Sequence, residues 1–321
     1  MTVVSSEPLI PLLQAELRRW VGNGENLLEL VCLDALFPSG KLLRPVLCVE
    51  SAKSVGGDVG AVLTFAAGLE CLHVASLIHD DIVDQDPVRR GRASTAEQFG
   101  IAEALLAGDA LSMTGYTAMI SGRPGDRVLE AVRVVVDALN RMCRAMMRET
   151  EIREDLDCGL STVLGVIRGK TAALIGAACE SGAILVGATH AQKGHLRRYG
   201  ELIGQAFQMR DDLLPYTVDD RVTGKTAVSD VANRQPTLPV VLAYQAASEA
   251  DRRRLTTVFR GDVDPVTAHR DVLDIVLRTG AAVETARQAH ACVDAARAEL
   301  DALPHPARLA ELALSVVDRH R

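Results

Sequence analysis

Aromatic side chains are scarce in this sequence: one Trp, four Tyr and five Phe make up 3% of 321 residues. Since 48% of the chain is nonetheless hydrophobic, a large core is expected, built from Ala, Leu and Val. A disordered or low-complexity chain is excluded. An excess of basic charge is also missing. With 35 Lys and Arg against 42 Asp and Glu the net charge is −7, which argues against nucleic acid as a partner. An anionic substrate remains compatible with such a chain if metal ions or a few placed Arg and Lys residues carry the binding. The seven cysteines, at positions 32, 48, 71, 143, 158, 179 and 292, include no C-x-x-C pair. Neither a zinc site nor a disulfide framework is indicated, and isolated apolar thiols suit a reducing compartment. No basic segment followed by an apolar one marks a signal peptide. The most apolar stretch, 172–188, is broken by Glu180 and falls short of the ~20 clean residues of a membrane span. The expectation is a soluble, cytoplasmic protein.

Strand-type alternation nowhere exceeds four residues, and linkers rich in Ser, Pro or Gly are lacking, as are tandem repeats. What is present is helical period. It runs through 61–84, 102–120, 128–147, 163–186 and 196–214, with Gly and Pro clusters between. Near the C-terminus Val283, Ala286, His290, Val293, Ala296, Leu300 and Leu303 recur at three- and four-residue steps and predict one apolar face. Leu303-Pro304 stops that helix, and another begins near Ala307. At ~100–200 residues per domain, length alone suggests two. The unbroken helical pattern instead predicts one all-α domain over 1–321, a large bundle whose central helices are apolar nearly all round.

Apolar central helices should not carry unpaired carboxylates, yet two of them do. The first ends Leu77-Ile78-His79-Asp80-Asp81-Ile82-Val83-Asp84. Asp80 and Asp84, four residues apart, share a helix face and repel unless a cation lies between them. Oxygen-only ligands point to a hard ion, Mg²⁺ above all, its shell completed by phosphate oxygens. Arg89-Arg90-Gly91-Arg92 follows within one loop, an anion-binding cluster beside a metal-binding one. The second helix ends Gln208-Met209-Arg210-Asp211-Asp212-Leu213-Leu214-Pro215, with Gly224-Lys225 and Asp230 beyond. Two acidic pairs, each followed by basic residues, form a layout suited to a metal-bridged diphosphate. His73 lies roughly 10 Å before Asp80 at a rise of about 1.5 Å per residue, too far to share its metal.

From about residue 35 onward the chain resembles the trans-isoprenyl diphosphate synthase (polyprenyl synthetase) family. The resemblance rests on Gly40-Lys41-Leu42-Leu43-Arg44-Pro45, on Glu70-Cys71-Leu72-His73 through Arg89-Arg90-Gly91, and on Leu106-Ala107-Gly108-Asp109. Lys170-Thr171, Phe207-Gln208 with Asp211-Asp212, and Gly224-Lys225 through Thr237-Leu238-Pro239 follow in order. It implies an all-helical bundle around a prenyl-chain cavity, a homodimer, and condensation of isopentenyl diphosphate with an allylic prenyl diphosphate. Asp80, Asp84 and Asp211 would hold Mg²⁺. Arg89, Lys170 and Lys225 would neutralise the leaving pyrophosphate. Lys41, Arg44, His73 and Arg90 would bind isopentenyl diphosphate, and Thr171 and Gln208 would position the allylic substrate. His79, Asp86 and Asp109 read as structural or outer-shell.

Three departures from the family pattern stand out. Pro215 replaces a third Asp and is expected to end or kink its helix near Leu214. Gln235 replaces a Lys, with Arg234 beside it as a substitute cation. The Gly-Gln or Gly-Glu pair ahead of Lys170 becomes Thr150-Glu151. A class I terpene cyclase would use the same metal chemistry, but the chain lacks its N/D-x-x-S/T-x-x-x-E motif. A regulatory subunit of a heteromeric synthase would explain Pro215 and Gln235 but not the intact first motif. Small Ala75 and Ser76, just before the first aspartates, resemble a geranylgeranyl or longer-chain synthase, with Leu72, Met113 and Tyr116 as the side chains that could close the tunnel.

Overall fold

The computed structural model describes residues 9–122, 125–217, 231 and 233–317. It is all-α, as expected: the described strands are two residues long. By its contacts the chain divides into two compact units. One comprises Met1–Val135, Ala177–Arg197 and Ala302–Leu309, the other Val136–Gly176, Arg198–Asp301 and Ala310–Arg321.

In the first unit α1 (Leu9–Val21), α2 (Leu27–Leu36) and α3 (Leu43–Ser54) pack on α4 (Leu63–Asp84). Asn26 caps α2 by accepting a hydrogen bond from the Glu29 amide at 3.0 Å, and the Glu29 carboxylate accepts one from the Asn26 side chain, a reciprocal cap that starts the helix. Helix α4 buries residues on every side, including Phe65, Leu69, Leu72, Ala75 and Ile78. After α5 (Thr95–Phe99), its main partner is α6 (Ile101–Ile120). The two helices touch at glycines: a Cβ on Gly68 would lie 2.6 Å from the Gly115 carbonyl oxygen, and one on Gly115 would lie 2.8 Å from that of Gly68. No larger residue fits either position without separating the helices.

Between α4 and α5, β1 (Val88–Arg89) and β2 (Arg92–Ala93) form a small antiparallel hairpin. Its two turn residues, Arg90 (φ 53°) and Gly91 (φ 74°), are both left-handed, the twist a two-residue hairpin requires. Arg92 fixes the hairpin to α2 by donating to Asp34 at 2.7 Å and to the Phe37 carbonyl at 3.0 Å.

The remaining helices are α7 (Asp126–Glu151), α8 (Leu160–Ile167), a π-helical turn (Arg168–Ala172), α9 (Ala173–Leu185) and α10 (His190–Thr217). They are followed by α11 (Leu238–Ala246), α12 (Glu249–Phe259), α13 (Pro265–Arg278), α14 (Ala281–Glu299) and α15 (Ala307–Val317). A second core, in the second unit, gathers Leu213 and Tyr216 of α10 with Val240, Leu255, Phe259, Val272 and Ile275. Three sequence expectations need correction. The buried face of α14 is Ala282, Thr285, Ala289, Val293 and Ala296, whereas Val283 is 75% exposed; small alanines on several sides made the apolar stripe ambiguous. Pro215 neither ends nor visibly breaks α10, which continues to Thr217. A proline this near the end forfeits only the bond to the Asp211 carbonyl, and Pro215 and Tyr216 are buried. Finally, Leu160–Leu185 is by length and composition apolar enough to cross a membrane, and 67% of its most apolar window is buried inside the protein.

Candidate active site

Each unit carries one acidic motif. In the first unit Asp80, Asp81 and Asp84 occupy the last turn of α4, where the helix dipole is negative and disfavours anions. The compensation is specific. Arg89, delivered by β1, donates from Nε to Asp81 Oδ1 at 2.7 Å, and its Nη2 contacts the same oxygen. Asp81 is 3% exposed; burial pushes its carboxyl up and Arg89 pulls it back. The nearest approach of Arg89 to Asp80 is 3.9 Å. The middle aspartate is thus committed to Arg89, while Asp80 and Asp84 remain partly exposed. Arg89 does not stand ready as an uncommitted pyrophosphate ligand; it is already an ion-pair partner.

A second cluster surrounds the start of α3. Leu42, 2% exposed, adopts a left-handed conformation (φ 50°) that turns the chain from Lys41 into the helix carrying Arg44. The Arg90 guanidinium lies over Gly40, so closely that a Cβ there would be 2.8 Å from Nη2. A non-glycine residue would displace this arginine. Arg44 and Arg90 act together on two α4 residues one turn apart. His73 is held neutral, its pKa well below the usual value because of burial and the charges of Arg44, Arg90 and Arg89. Glu70 is 3% exposed; burial pushes its carboxyl up, and Arg44 and Arg90 lower it again. Its Oε2 has no hydrogen-bond partner. The structure therefore brings Arg44, His73 and Arg90 together, with Lys41 exposed at the start. Glu70 is the member that motif reading passed over; a carboxylate three residues before His73 on an apolar helix was the available signal. His79 has the expected structural place, packed where a Gly108 Cβ would meet its Nε2 and 3.7 Å from Asp109.

In the second unit Lys170 leaves the π-helical turn and donates from Nζ to Glu149 Oε2 at 2.6 Å. The acidic partner ahead of the Lys-Thr motif is thus Glu149, not Glu151, which pairs with Arg148 at 2.9 Å. Thr171 donates to Gln208 Oε1 at 2.6 Å, and Gln208 donates to Asp212 Oδ1 at 2.9 Å. Asp212 Oδ2 in turn lies 3.5 Å from the Leu238 amide at the start of α11. Asp212, 7% exposed, is a structural link, leaving the more accessible Asp211 for a metal. Lys170, Glu149, Gln208, Asp212, Gln235 and Thr237 line a pocket of about 40 Å³, where Gln235 Oε1 and Thr237 Oγ1 are buried without partners. Arg234 does not replace the missing lysine: its backbone is left-handed and its side chain pairs with Glu154 at 2.6 Å. Lys225 and Asp230 lie outside the described residues.

Among the described residues no three His, Cys, Asp or Glu side chains converge as a preformed metal cage. The Asp80–Asp84 pair still fits Mg²⁺, which is commonly held by one or two carboxylates with substrate phosphates and water supplying the other oxygens.

The comparisons agree with this arrangement. A family profile described as Polyprenyl synthetase matches residues 25–276. The chain is 39% identical over 242 residues to a short chain isoprenyl diphosphate synthase of Methanothermobacter thermautotrophicus, covering 75% of this chain and 74% of that one. It is 32% identical over 266 residues to octaprenyl diphosphate synthase of Escherichia coli, covering 83% and 80%. Matches to mycobacterial farnesyl and geranylgeranyl diphosphate synthases span 59% and 61% of those proteins. In three dimensions it resembles geranylgeranyl pyrophosphate synthetase from Pyrococcus horikoshii, with TM-score 0.90, 27% identity and coverage of 97% and 96%. The relatives differ in product length. They agree on the fold and on the class of chemistry, and the chain belongs to the polyprenyl synthetase family of prenyl diphosphate synthases.

Proposed function

We propose that this protein is a trans-prenyltransferase that joins isopentenyl diphosphate to an allylic diphosphate, with geranylgeranyl diphosphate or a similar medium-length chain as product. The observation that carries the reading is the cluster at Gly40, where Arg44 and Arg90 converge beside a neutral His73 over the buried Glu70. Guanidinium groups there match a diphosphate in geometry and charge, and Lys41 adds a mobile cation. Glu70 keeps both arginines from repelling each other while the site is empty.

In the reaction the allylic C–O bond breaks and pyrophosphate leaves with the electron pair. The isopentenyl double bond attacks the resulting cation, and a proton is lost from the adduct. Mg²⁺ held by Asp80 and Asp84 in one unit and by Asp211 in the other would neutralise the charge developing on the leaving group. Lys170, steadied by Glu149, supplies a fixed positive charge for the same purpose, Arg89 supplies another while anchored to Asp81, and Lys225 is assigned that role by motif. Thr171 holds the Gln208 amide in one orientation for the allylic substrate.

The assignment of a medium chain rests on Ala75 and Ser76, which leave room beside α4, and on Leu72, 3% exposed, which closes on Gly115. Met113 is 63% exposed and does not serve as a stop within this chain. Exposed Leu106, Met113 and Ile120 recur every seven residues along α6, an apolar stripe that supports a homodimer. Seven free cysteines, several of them buried, support a reducing, cytoplasmic location. Incubation with isopentenyl diphosphate, Mg²⁺ and separate C5, C10 and C15 starters, followed by product sizing, tests the proposal. Mg²⁺-dependent products of about C20 are expected. No condensation with any starter overturns the reading, and cyclic hydrocarbon from an allylic diphosphate alone would make the protein a cyclase.

A further inference from the structure

Within the second unit a larger cavity, about 580 Å³, opens beside the π-helical turn. It is separate from the Lys170 pocket: Arg168 and Gly169 line one, Ile167 and Lys170 the other. Arg141, Arg144 and Arg148, spaced three and four residues apart on α7, form one wall, and Arg168 faces the same space. Like charges so spaced on a helix repel by about 0.2–0.5 kcal/mol per pair. Compensation is partial: Arg141 pairs with Glu201 at 3.3 Å and Arg148 with Glu151 at 2.9 Å. Among the described residues Arg144 and Arg168 have no ion pair or hydrogen bond from their side chains. Four arginines against the single lining acid Glu201 is a marked concentration of charge in a chain of net −7.

The floor is as informative as the rim. It contains Gly165, in the middle of α8, where a Cβ would meet nothing within 4 Å. Glycine inside a helix costs about 1 kcal/mol relative to alanine, and no neighbouring atom requires it here. Its effect is to leave the cavity open. The other floor residues are aliphatic (Ala145, Val166 and Ala172), and no aromatic ring is present to stack a base. A volume of this size falls within the ~300–1,000 Å³ of small-ligand sites, and arginine forks suit phosphate oxygens.

The geometry points to a second ligand site here, one that binds a phosphate-headed aliphatic molecule of the isoprenyl diphosphate class. Arg144 and Arg168 clamp the head and the chain lies over Gly165. The π-helical turn, which carries Arg168 on one side and Lys170 on the other, links occupancy of this groove to the Lys170 pocket.

The test is equilibrium binding of farnesyl thiodiphosphate to the full chain in EDTA with saturating isopentenyl diphosphate. These conditions silence metal-dependent binding and fill the Gly40 cluster, so the result stands whether or not the protein condenses prenyl units. One molecule per chain is expected. Arg144→Glu/Arg168→Glu should weaken it at least tenfold, as should Gly165→Leu, while Gly165→Ala and Lys170→Ala change it less than twofold. Inorganic pyrophosphate and farnesol should each bind at least tenfold more weakly than the complete probe. Binding lost with Lys170→Ala but kept in the arginine double variant overturns the proposal. Pyrophosphate binding as tightly as the thiodiphosphate does so too, because the floor would then contribute nothing. Should Gly165→Leu fail to fold, the charge variants decide the question.

Discussion

Asp81→Asn separates structural from metal-binding carboxylates within a single motif. The substitution keeps the shape of the side chain but removes the charge that accepts two contacts from Arg89. Hydrogen bonds to charged groups contribute about 1.5–3 kcal/mol, and breaking a fully buried pair costs about 3–5 kcal/mol. Asp81 is buried, but the Arg89 side chain is 34% exposed, so water recovers part of the loss and about 2 kcal/mol is expected. At roughly 2–4 °C per kcal/mol, with a chain of this length at the lower end, Tm in EDTA should fall by about 4 °C. Asp80→Asn is different. It removes one of three like charges from the negative end of α4 and only a 3.9 Å contact with Arg89, so its Tm in EDTA should stay within about 0.5 kcal/mol of wild type. Adding Mg²⁺ and pyrophosphate should stabilise wild type and Asp81→Asn, by about 2.7 kcal/mol if the ligand reaches a hundredfold over its Kd, but not Asp80→Asn. Thermal unfolding with and without ligand measures both effects. The reasoning fails if Asp81→Asn melts with wild type in EDTA, or if Asp80→Asn keeps the full response to Mg²⁺ and pyrophosphate.

The low pKa of His73 sets a pH dependence. Below its unfolded-state value of about 6.5 the unfolded chain takes up a proton that the folded site refuses, so stability falls with acidification by up to about 1.4 kcal/mol per pH unit; His73→Gln should flatten the denaturation midpoint between pH 6.5 and 5.5 relative to wild type. Gly182→Ala should lower Tm, because its Cβ would sit 2.1 Å from the Cys48 carbonyl oxygen and overpacking costs about 1–3 kcal/mol; Gly165→Ala, with open space around it, should raise stability by up to about 1 kcal/mol, and calorimetry of the pair must give opposite signs. Leu72→Ala should lengthen the main product by at least one C5 unit while Met113→Ala does not, which product sizing of the two variants checks.

What could be read from residues alone follows from how local each signal is. The helices of 61–84 and 102–120 were legible because burial repeats along them at short intervals, and the first acidic motif because its residues are neighbours in the chain. The division of labour inside that motif was not legible. Asp80, Asp81 and Asp84 are chemically alike, and only a hairpin whose turn places Arg89 against one of them makes the middle carboxylate structural. The same holds for Glu149 and Glu151: two residues apart on α7, they differ by about 200° around a helix of 3.6 residues per turn, and packing decides which reaches Lys170. Motif spacing also could not reveal that Arg234 is taken by Glu154, since Glu154 lies eighty residues away in sequence. Glu70 shows the reverse situation. Its position on an apolar helix marked it as anomalous, but its value depends on Arg44 and Arg90 arriving from separate segments, and a buried carboxylate is tolerable only once both are present. The long-range partners that the sequence conceals are therefore also the ones that make its most improbable buried charges affordable.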